Sequence, residues 1–314
     1  MTSRLIRVPC STSNLGPGFD LLGLALGLFV DVRAEPADEG LSVVLPEDPA
    51  DQASSWPSAA NLVTRAFAGA HALAGLEPAP HRFHARSEVP MARGLGSSGA
   101  ATAAGLLLAR DATAAAGAEP PSLGALHELG IELEGHPDNV TASLFGGCTL
   151  CLPASAIPGE EHATALVHQP VHASLGFAVA WSDATLATER ARSVLPASVP
   201  FADAVENPRR LAMLLEGLRT GDPELLRIGS ADRLHHRHRL ALIPGGAEAL
   251  AAADAAGAWC TAINGSGSSL LAIGPAAEAP RLAEVLRATL AEHDTGAVGH
   301  ALALVEGEPQ VTDA

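Results

Sequence analysis

A glycine- and serine-rich loop at residues 93–99 constrains the fold of this chain more than any other feature. It reads Arg-Gly-Leu-Gly-Ser-Ser-Gly and is called the phosphate loop below. It follows a strand candidate that ends at Pro90 and precedes an apolar segment, residues 99–112, typical of a buried helix. Glycines let the backbone approach an anion closely, and the first N–H groups of a helix have no partner within it. Strand, loop and helix in this order predict a phosphate-binding site.

The phosphate loop differs from both common nucleotide-binding loops. No Gly-Lys-[Ser/Thr] follows it, so no lysine reaches the phosphates, and it lacks the G-x-G-x-x-G spacing of dinucleotide folds. The hydroxyls of Ser97 and Ser98 can instead bind a phosphate oxygen and a Mg²⁺ ion. A glycine loop alone is weak evidence, and a plain strand–helix turn is the alternative.

The net charge of the chain limits the kinds of molecule that it can bind. The 314 residues include 19 Lys and Arg against 35 Asp and Glu, a formal net charge of −16. A chain this acidic has no electrostatic surface for nucleic acid or an anionic membrane, so we expect neither as a partner. Arg4 and Arg7 are not followed by the apolar segment of a signal peptide, and we expect a cytoplasmic protein.

Three other clusters place polar side chains beside glycine or proline. They are residues 11–20, with Asn14 and Asp20; residues 132–139, which end in His-Pro-Asp-Asn; and residues 264–269, a second glycine–serine loop. A capped turn would explain the polar residues of the second cluster in part. Its His-Pro-Asp-Asn turn has the composition of a segment that presents side chains to a ligand.

Several other residues have both a functional and a structural interpretation. Arg192 and Arg239 are candidate carboxylate clamps, because a guanidinium pairs with both oxygens, although a single arginine is more often a surface residue. The histidines of residues 235–238 are interrupted by an arginine, which opposes metal binding and favours a polar helix end. Cys148 and Cys151 form a C-x-x-C pair without a second pair of ligands, so we interpret them as two small strand residues on opposite faces.

The alternation of strand and helix patterns predicts a mixed α/β (α+β) fold. We expect two domains, residues 1–155 and 156–314, with the boundary in a loop at residues 153–162. Strands are predicted at residues 4–10, 21–30, 41–45, 81–90, 140–152 (after a turn) and 175–181, and on both sides of 264–268. Helices are predicted at residues 61–74, 99–112, 123–133, 209–219, 224–233 and 248–256 and from about residue 185, a loop at residues 48–58 and a frayed tail at 306–314.

Together these motifs resemble the GHMP kinase family, which is named for galacto-, homoserine, mevalonate and phosphomevalonate kinases. Residues 8–23 are similar to V-P-A-[ST]-[ST]-A-N-L-G-P-G-F-D-x-L-G of the homoserine kinase branch, and residues 90–100 to the family's P-x-x-x-G-L-G-S-S-A-A. Residues 61–63, Asn-Leu-Val, match a segment that lines the adenine pocket in relatives. Residues 134–140, E-G-H-P-D-N-V, are the most diagnostic, because the mevalonate and galactose branches differ there. The resemblance covers about residues 5–275.

The resemblance implies a fold and a reaction. The fold would be the two-domain GHMP kinase fold, with an N-terminal ribosomal protein S5 domain 2-like half, a C-terminal ferredoxin-like half and the active site between them. The reaction would be the ATP-dependent phosphorylation of L-homoserine in threonine biosynthesis, with Mg²⁺ on the nucleotide. Relatives are often homodimers, so a homodimer is an expected assembly.

The resemblance also implies roles for individual residues. For ATP it implies Asn61, Val63, Pro90, Arg93, Gly94, Leu95, Gly96, Ser97, Ser98 and Gly99. For the acceptor it implies Asn14, Asp20, His136, Asp138, Asn139, Thr188, Arg192 and Arg239, with Asp138, Asn139 and Arg192 as the catalytic candidates. For Mg²⁺ it implies Ser98 and Glu132, while the spacings leave Glu128 and Glu134 open. Asp138 would orient the acceptor rather than act as a strong base.

Three departures from the family pattern stand out. Ser268 and Ser269 replace a Pro-Thr or Pro-Ser pair, Gly99 replaces an alanine, and residues 235–239 differ from the usual H-Q-P-Y-R.

The sequence leaves two rival functions open. One is a GHMP kinase with another acceptor, such as mevalonate or a sugar, and the other is a non-catalytic regulator. A regulator would predict damage at Ser98 or at the metal carboxylate, and the sequence has none.

Overall fold

The computed structural model describes residues 2–44, 61–89, 91–154 and 162–314. A seven-stranded sheet forms the first half of the molecule, in the order β11-β1-β2-β4-β3, with β5 paired to β2 and β6 to β5. Its strands are β1 (Arg4–Asn14), β2 (Gly18–Pro36), β3 (Leu41–Val44), β4 (His81–Ser87), β5 (Cys148–Leu152), β6 (Ala165–Gln169) and β11 (Val311–Asp313). The β3–β4 pair is parallel and the others are antiparallel.

Four helices pack in this half: α1 (Leu62–Leu73), α2 (Ser97–Ala115), α3 (Leu123–Glu134) and α4 (Asp138–Phe145). Helix α2 is the central one, because it contacts α1, α3, α4 and β1. Residues 99–109, mostly alanine, glycine and leucine, are buried without interruption. Side chains this small let the neighbouring helices approach closely, so the start of α2 is fixed by packing on several sides.

The second half contains a four-stranded antiparallel sheet in the order β10-β7-β9-β8. Its strands are β7 (Leu175–Trp181), β8 (Cys260–Ile263), β9 (Leu270–Pro275) and β10 (Val298–Leu302). The helices of this half are α5 (Thr188–Ser193), α6 (Phe201–Thr220), α7 (Pro223–Gly229), α8 (His236–Arg239), α9 (Gly246–Ala255) and α10 (Ala279–Ala291). Strand, helices, two strands, helix and strand follow the β-α-β-β-α-β pattern of the ferredoxin-like fold, which confirms the predicted fold class.

The second sheet is buried on both faces, and this joins the two halves. Along β7, Phe177 and Val179 belong to the core shared with the first half. The alternate residues Ala178 and Ala180 belong to a separate core with α9 and α10. Because side chains alternate across a strand, one strand can serve both cores.

Several predicted elements differ from those observed. Residues 138–145 form α4, where the sequence suggested a turn, because Asp138 follows Pro137 at a helix start. Helix α6 begins at Phe201 and continues through Pro208, which the pattern had placed before the helix. The tail is not frayed: β11 pairs with β1, and Arg4 forms an ion pair with Asp313. The predicted strands missed β6 and β10, and the predicted helices missed α10.

The predicted loop at residues 48–58 and most of the loop at residues 153–162 lie outside the described residues, so the domain boundary at 155/156 stays a prediction. Among the helices described, none has the length and apolar character needed to cross a bilayer.

The crossing of α1 and α2 generates a stability prediction. A Cβ at Gly105 would lie 2.3 Å from the carbonyl oxygen of Val63, so Gly105→Ala must push the helices apart. We expect a loss of about 1–3 kcal/mol in the free energy of unfolding, measured by urea denaturation, despite alanine's better helix propensity. The control is Gly124→Ala, at an exposed position of α3 with no close neighbour, which should gain up to about 1 kcal/mol. Equal effects of the two substitutions would contradict this packing constraint.

Candidate active site

A cavity of about 360 Å³ lies where residues of the two halves meet, and it contains most of the predicted site. It is lined by Ser13, Asn14, Asp20, Asn61, Leu62, Met91, Ala92, Gly94, Gly96, Ser97, Ser98, His136, Asp138, Asn139, Leu186, Thr188, Arg192, Arg239 and Ser266. Thirteen of these were predicted from the sequence: Asn14, Asp20, Asn61, Gly94, Gly96, Ser97, Ser98, His136, Asp138, Asn139, Thr188, Arg192 and Arg239.

The phosphate loop ends where α2 begins, at the wall of this cavity. Gly96 precedes α2 with φ +68°, a left-handed conformation that favours glycine. A Cβ there would lie 2.1 Å from Ser11 Oγ, so the neighbouring strand also requires a glycine. The first N–H groups of α2 have no intrahelical acceptor, and the hydroxyls of Ser97 and Ser98 lie beside them. These groups, with the positive end of the helix dipole, form an anion-binding surface.

Not every residue of the loop faces the cavity. The Arg93 guanidinium donates to three backbone carbonyls, those of Met91 (2.7 Å), Ser182 (3.3 Å) and Asp183 (2.8 Å), and so ties the loop to the end of β7. Leu95 is buried in the core. The side chains of Arg93 and Leu95 therefore do not line the cavity, and their positions do not support the predicted contacts with ATP. Pro90, also predicted to contact ATP, lies outside the described residues.

The family departures at Gly99 and Ser269 have local explanations. A Cβ at Gly99 would lie 3.0 Å from backbone atoms of Asn139 and Val140, so glycine lets α2 and α4 approach closely. The Ser269 hydroxyl donates to the Arg93 carbonyl at 2.5 Å, and its N–H donates to the same oxygen at 2.9 Å. The serine thus fastens the third motif to the phosphate loop.

The His-Pro-Asp-Asn turn begins α4 and places an ion pair in the cavity wall. His136 Nδ1 donates to Asp138 Oδ1 at 2.9 Å, and the Asn139 N–H donates to the same oxygen at 2.8 Å. Burial alone would raise the pKa of Asp138, but the hydrogen bond and positive charge of His136 outweigh it and lower this pKa. Burial likewise disfavours charged His136, yet Asp138 raises the pKa of His136 above its ordinary value. Each group of the pair therefore favours the charged form of the other.

Asn139 connects this turn to β1. Its amide nitrogen donates to Ser13 Oγ at 3.2 Å, and its amide oxygen accepts from Ser11 Oγ at 3.0 Å. Both ends of the side chain are thus fixed at the edge of the cavity next to Gly96.

The two predicted arginines have different surroundings. Arg192, on α5, forms a bidentate ion pair with Asp20 at 2.7 and 2.9 Å. The Asp20 N–H in turn donates to the amide oxygen of Asn14 at 2.9 Å. Arg239, on α8, is 2% exposed and donates to the carbonyls of Ala191 and Gly265. No carboxylate of the described residues lies within ion-pair distance of Arg239, so the cavity contains an unpaired buried cation.

The end of the cavity near α1 is less polar. Asn61 caps α1, because its side-chain oxygen accepts from the Val63 N–H at 2.8 Å, while its amide nitrogen is buried without a partner in the described structure. Leu62 and Met91 line the same cavity. Val63 was predicted to contact ATP. Its side chain is fully buried in the core and packs there instead.

The three candidate metal carboxylates lie on two faces of α3, with Glu128 and Glu132 on the same one. Glu134 accepts a hydrogen bond from Thr102 Oγ1 at 2.6 Å, and Thr102 lies one turn after Ser98 on α2. Glu128 and Glu132 are exposed and Glu134 is half-buried, and none of the three is among the residues that line the cavity. Glu134 is therefore the carboxylate that contacts α2, whereas Glu132, the residue chosen from spacing, lies on the exposed face that it shares with Glu128.

Six lining residues were missed by the sequence-based site: Ser13, Leu62, Met91, Ala92, Leu186 and Ser266. Ser13 and Ser266 lie inside motifs already noted, so their clusters carried the signal. Leu186 had no local signal, since it reaches the site through a backbone bond from its N–H to the Ala92 carbonyl at 2.9 Å. Thr188 lies near Ser266, with 3.4 Å between the two hydroxyl oxygens.

The two cysteines of the C-x-x-C pair lie in β5, as the structural interpretation predicts, and are buried as free thiols. Burial raises the pKa of the Cys151 thiol. In the part of the chain that the structure describes, no group of three or more His, Cys, Asp or Glu side chains is arranged to hold a metal ion.

The buried ion pair generates a prediction about titration. In Asp138→Asn the carboxylate charge that raises the pKa of His136 is removed, while burial, which lowers that pKa, remains. We expect the pKa of His136 to fall from above 6.5 to below it, as measured by NMR titration of the imidazole nitrogens. Glu132→Gln, which removes an exposed carboxylate that does not contribute to the pKa of His136, is the control and should leave that pKa raised. An unchanged His136 would contradict this electrostatic coupling.

Comparison with known proteins places the chain in a family. The family model for the GHMP kinases N terminal domain matches residues 61–147. A homoserine kinase from Synechococcus sp. (strain CC9605) is 42% identical over 272 residues, which are 86% of this chain and 83% of that protein. A homoserine kinase from Prochlorococcus marinus (strain MIT 9303) is 42% identical over 274 residues, with the same shares.

Solved structures agree with the sequence comparison. The crystal structure of a homoserine kinase from Cytophaga hutchinsonii has a TM-score of 0.86 and 25% identity, and the match covers 99% of this chain and 98% of that one. A mevalonate kinase shares the fold, with a TM-score of 0.66, 11% identity and coverage of 96% and 99%. The chain belongs to the homoserine kinases of the GHMP kinase family.

Proposed function

We propose that this chain transfers the γ-phosphoryl group of ATP to the side-chain hydroxyl of L-homoserine, giving ADP and O-phospho-L-homoserine, a step of threonine biosynthesis. One observation carries the proposal: a single cavity holds the free N-terminal amides of α2 and an unpaired buried arginine, Arg239. The first suits a phosphate chain, and the second suits the carboxylate of an amino acid. Curated relatives at 42% identity bear the name homoserine kinase.

The acceptor side matches the charges of a zwitterion. Arg239 and Arg192 would bind the α-carboxylate, with Thr188 beside them. Asp20, whose carboxylate lies in the same cavity, would bind the α-ammonium group. A mevalonate or sugar acceptor has no ammonium group to place against Asp20, and a sugar has no carboxylate for the arginines. The charge pattern thus supports an amino-acid acceptor.

Asp138, Asn139 and His136 would orient the acceptor hydroxyl. The lowered pKa of Asp138 makes it a weak base, because its ionised form is stabilised by His136 and the Asn139 N–H. Phosphoryl transfer through a loose transition state depends on alignment and charge neutralisation more than on early proton removal. A hydrogen-bond acceptor of fixed position therefore suffices here. Arg192 is the remaining catalytic candidate, since it lines the same cavity.

The nucleotide side fits ATP with Mg²⁺. The first amides of α2, Ser97 and Gly96 would bind phosphate oxygens, and the unpartnered amide of Asn61 would meet the base. Ser98 and Glu134 are oxygen donors of the kind that Mg²⁺ prefers, and Thr102 places the carboxylate on the Ser98 side of α2. When bound, Mg²⁺ neutralises charge on the β- and γ-phosphates. We propose Ser98 and Glu134 as its ligands.

The proposal extends to the setting of the enzyme. We propose a cytoplasmic enzyme whose partners are ATP and L-homoserine, without nucleic acid or membrane. The strongly acidic charge of −16 supports this, since it repels polyanions outside the local anion site. Residues 1–155 would form the ATP-binding domain and residues 156–314 the C-terminal domain, and a homodimer is the proposed assembly.

The first test is an acceptor panel. Purified protein with Mg-ATP should release ADP only when L-homoserine is added, because only this acceptor supplies a carboxylate, an ammonium group and a primary hydroxyl together. A coupled ADP assay with L-homoserine, mevalonate, galactose and no acceptor measures this. Turnover of mevalonate or galactose without turnover of homoserine would show a different kinase. No turnover with any acceptor, despite ATP binding, would indicate the non-catalytic regulator.

The second test compares two glutamates of α3 that lie two residues apart. Glu134→Gln should weaken Mn²⁺ binding to the enzyme–ADP complex about tenfold or more and lower kcat, because a charged metal ligand is lost. Electron paramagnetic resonance of Mn²⁺ measures the binding independently of turnover. Glu132→Gln, on the exposed face, is the matched control and should change neither value. The reverse result would restore the assignment made from spacing.

A further inference from the structure

His235 is a buried residue outside the predicted site. It contacts two parts of the proposed acceptor site, Arg239 and the turn that leads into Asp20. Its Nε2 lies 2.9 Å from the Gly16 carbonyl oxygen, in the turn between β1 and β2. Its Nδ1 lies 3.4 Å from Nη1 of Arg239, one turn further along the chain. Its ring lies 5.0 Å from that of Phe19.

These partners determine which ring nitrogen carries the proton. A carbonyl oxygen only accepts hydrogen bonds, so Nε2 must donate to Gly16. A guanidinium only donates, so Nδ1 must accept from Arg239. His235 therefore has to be the neutral Nε2–H tautomer, and burial, which lowers its pKa, agrees with this.

The remaining contacts of Arg239 explain why the acceptor at Nδ1 matters. Its Nε–H donates to the Ala191 carbonyl at 3.2 Å, and its Nη1 donates to the Gly265 carbonyl at 3.2 Å and to His235. A guanidinium has five N–H groups, so both hydrogens of Nη2 remain. Within the described ranges they have no partner, and Arg239 lines the cavity. The two carbonyls and His235 thus hold Nε and Nη1 of Arg239, and the Nη2 edge of the guanidinium remains open to a ligand.

The bond to Gly16 reaches the other acceptor residues. The turn leads directly into Phe19 and Asp20, and the guanidinium carbons of Arg239 and Arg192 lie 5.0 and 5.4 Å from the Phe19 ring. The histidine itself is fixed by Asp232, whose Oδ2 accepts its backbone N–H at 2.6 Å. One buried ring therefore spans from the arginine fork to the turn that carries Asp20.

We propose that His235 is a positioning residue for carboxylate recognition, holding the Arg239 guanidinium through Nδ1 and the turn at Gly16 through Nε2. The inference rests on the proposed function, because it assigns the Arg239 edge to the acceptor's α-carboxylate. His235 is not among the residues that line the cavity, so its removal should act through Arg239 and the Gly16 turn, and should affect acceptor binding while ATP binding stays unchanged.

Four variants separate positioning from packing. His235→Leu removes both hydrogen bonds and should raise KM for L-homoserine about tenfold, with KM for ATP within about twofold. His235→Gln keeps a donor near Nε2 but no acceptor near Nδ1, and should behave like the leucine variant if that one proves unstable. His235→Asn keeps an acceptor near Nδ1 and should restore KM to within about threefold of the wild type. His236→Gln is the packing control, because the His236 ring lies 4.6 Å from that of His235 and accepts from the Ile263 N–H, while no hydrogen bond joins it to Arg239 among the described residues.

Two acceptor analogues add a readout that a packing defect would not produce. 4-Hydroxybutyrate keeps the carboxylate and lacks the ammonium group, and 3-aminopropan-1-ol has the opposite pattern. The informative variant for these competitive inhibitors is His235→Gln, which keeps a donor to Gly16 and loses the acceptor for Arg239. The first analogue should bind about tenfold more weakly to it, and binding of the second should be unchanged. Equal loss for both, a parallel rise in both KM values, or no rescue by His235→Asn would overturn the inference while wild-type turnover of homoserine stands. Absence of that turnover would overturn the proposed function, and the inference with it.

Discussion

The geometry of the cavity depends on backbone hydrogen bonds between the segment around the phosphate loop and the second half of the chain. The Leu186 N–H donates to the Ala92 carbonyl, and the Ser269 N–H donates to the Arg93 carbonyl, both at 2.9 Å. These bonds place the start of α2 opposite the arginines of α5 and α8. They require a close approach at Gly94, where a Cβ would lie 2.2 Å from the Asn264 carbonyl oxygen. The glycines of the loop therefore serve the contact between the halves as well as the approach to phosphate.

The second constraint is an unpaired buried charge in a strongly acidic protein. Burial lowers the pKa of Arg239 to about 10, so its guanidinium is still protonated at neutral pH. A buried cation without a carboxylate partner is unfavourable, and carbonyl dipoles compensate it only in part. A bound carboxylate would pair with Arg239 and reduce that cost. The Arg192 guanidinium, by contrast, is already paired with Asp20. The affinity for an anionic acceptor group should thus depend first on Arg239.

Much of the site could be predicted from the sequence, because its motifs are contiguous and their local spacing carries the chemistry. What could not be predicted depends on contacts distant in sequence. An arginine beside a phosphate loop suggests a ligand, but Arg93 is committed to carbonyls some ninety residues away, at Ser182 and Asp183. The polar tail looked frayed because its partner, β1, lies at the other end of the chain. Spacing from His136 suggested Glu132, whereas the proposal of Glu134 depends on its hydrogen bond to Thr102, some thirty residues away on α2.

The structure also explains how the same hydrogen bonds can determine both position and acidity at Asp138. His136 and the Asn139 N–H share one carboxylate oxygen, which fixes the side chain and stabilises its charge. Raising the pKa enough for general-base catalysis would require weakening these bonds, and the carboxylate would then lose its fixed orientation. For the proposed reaction, whose loose transition state places little demand on a base, alignment contributes more than basicity. A site that holds Asp138 ionised and immobile therefore favours positioning over proton abstraction.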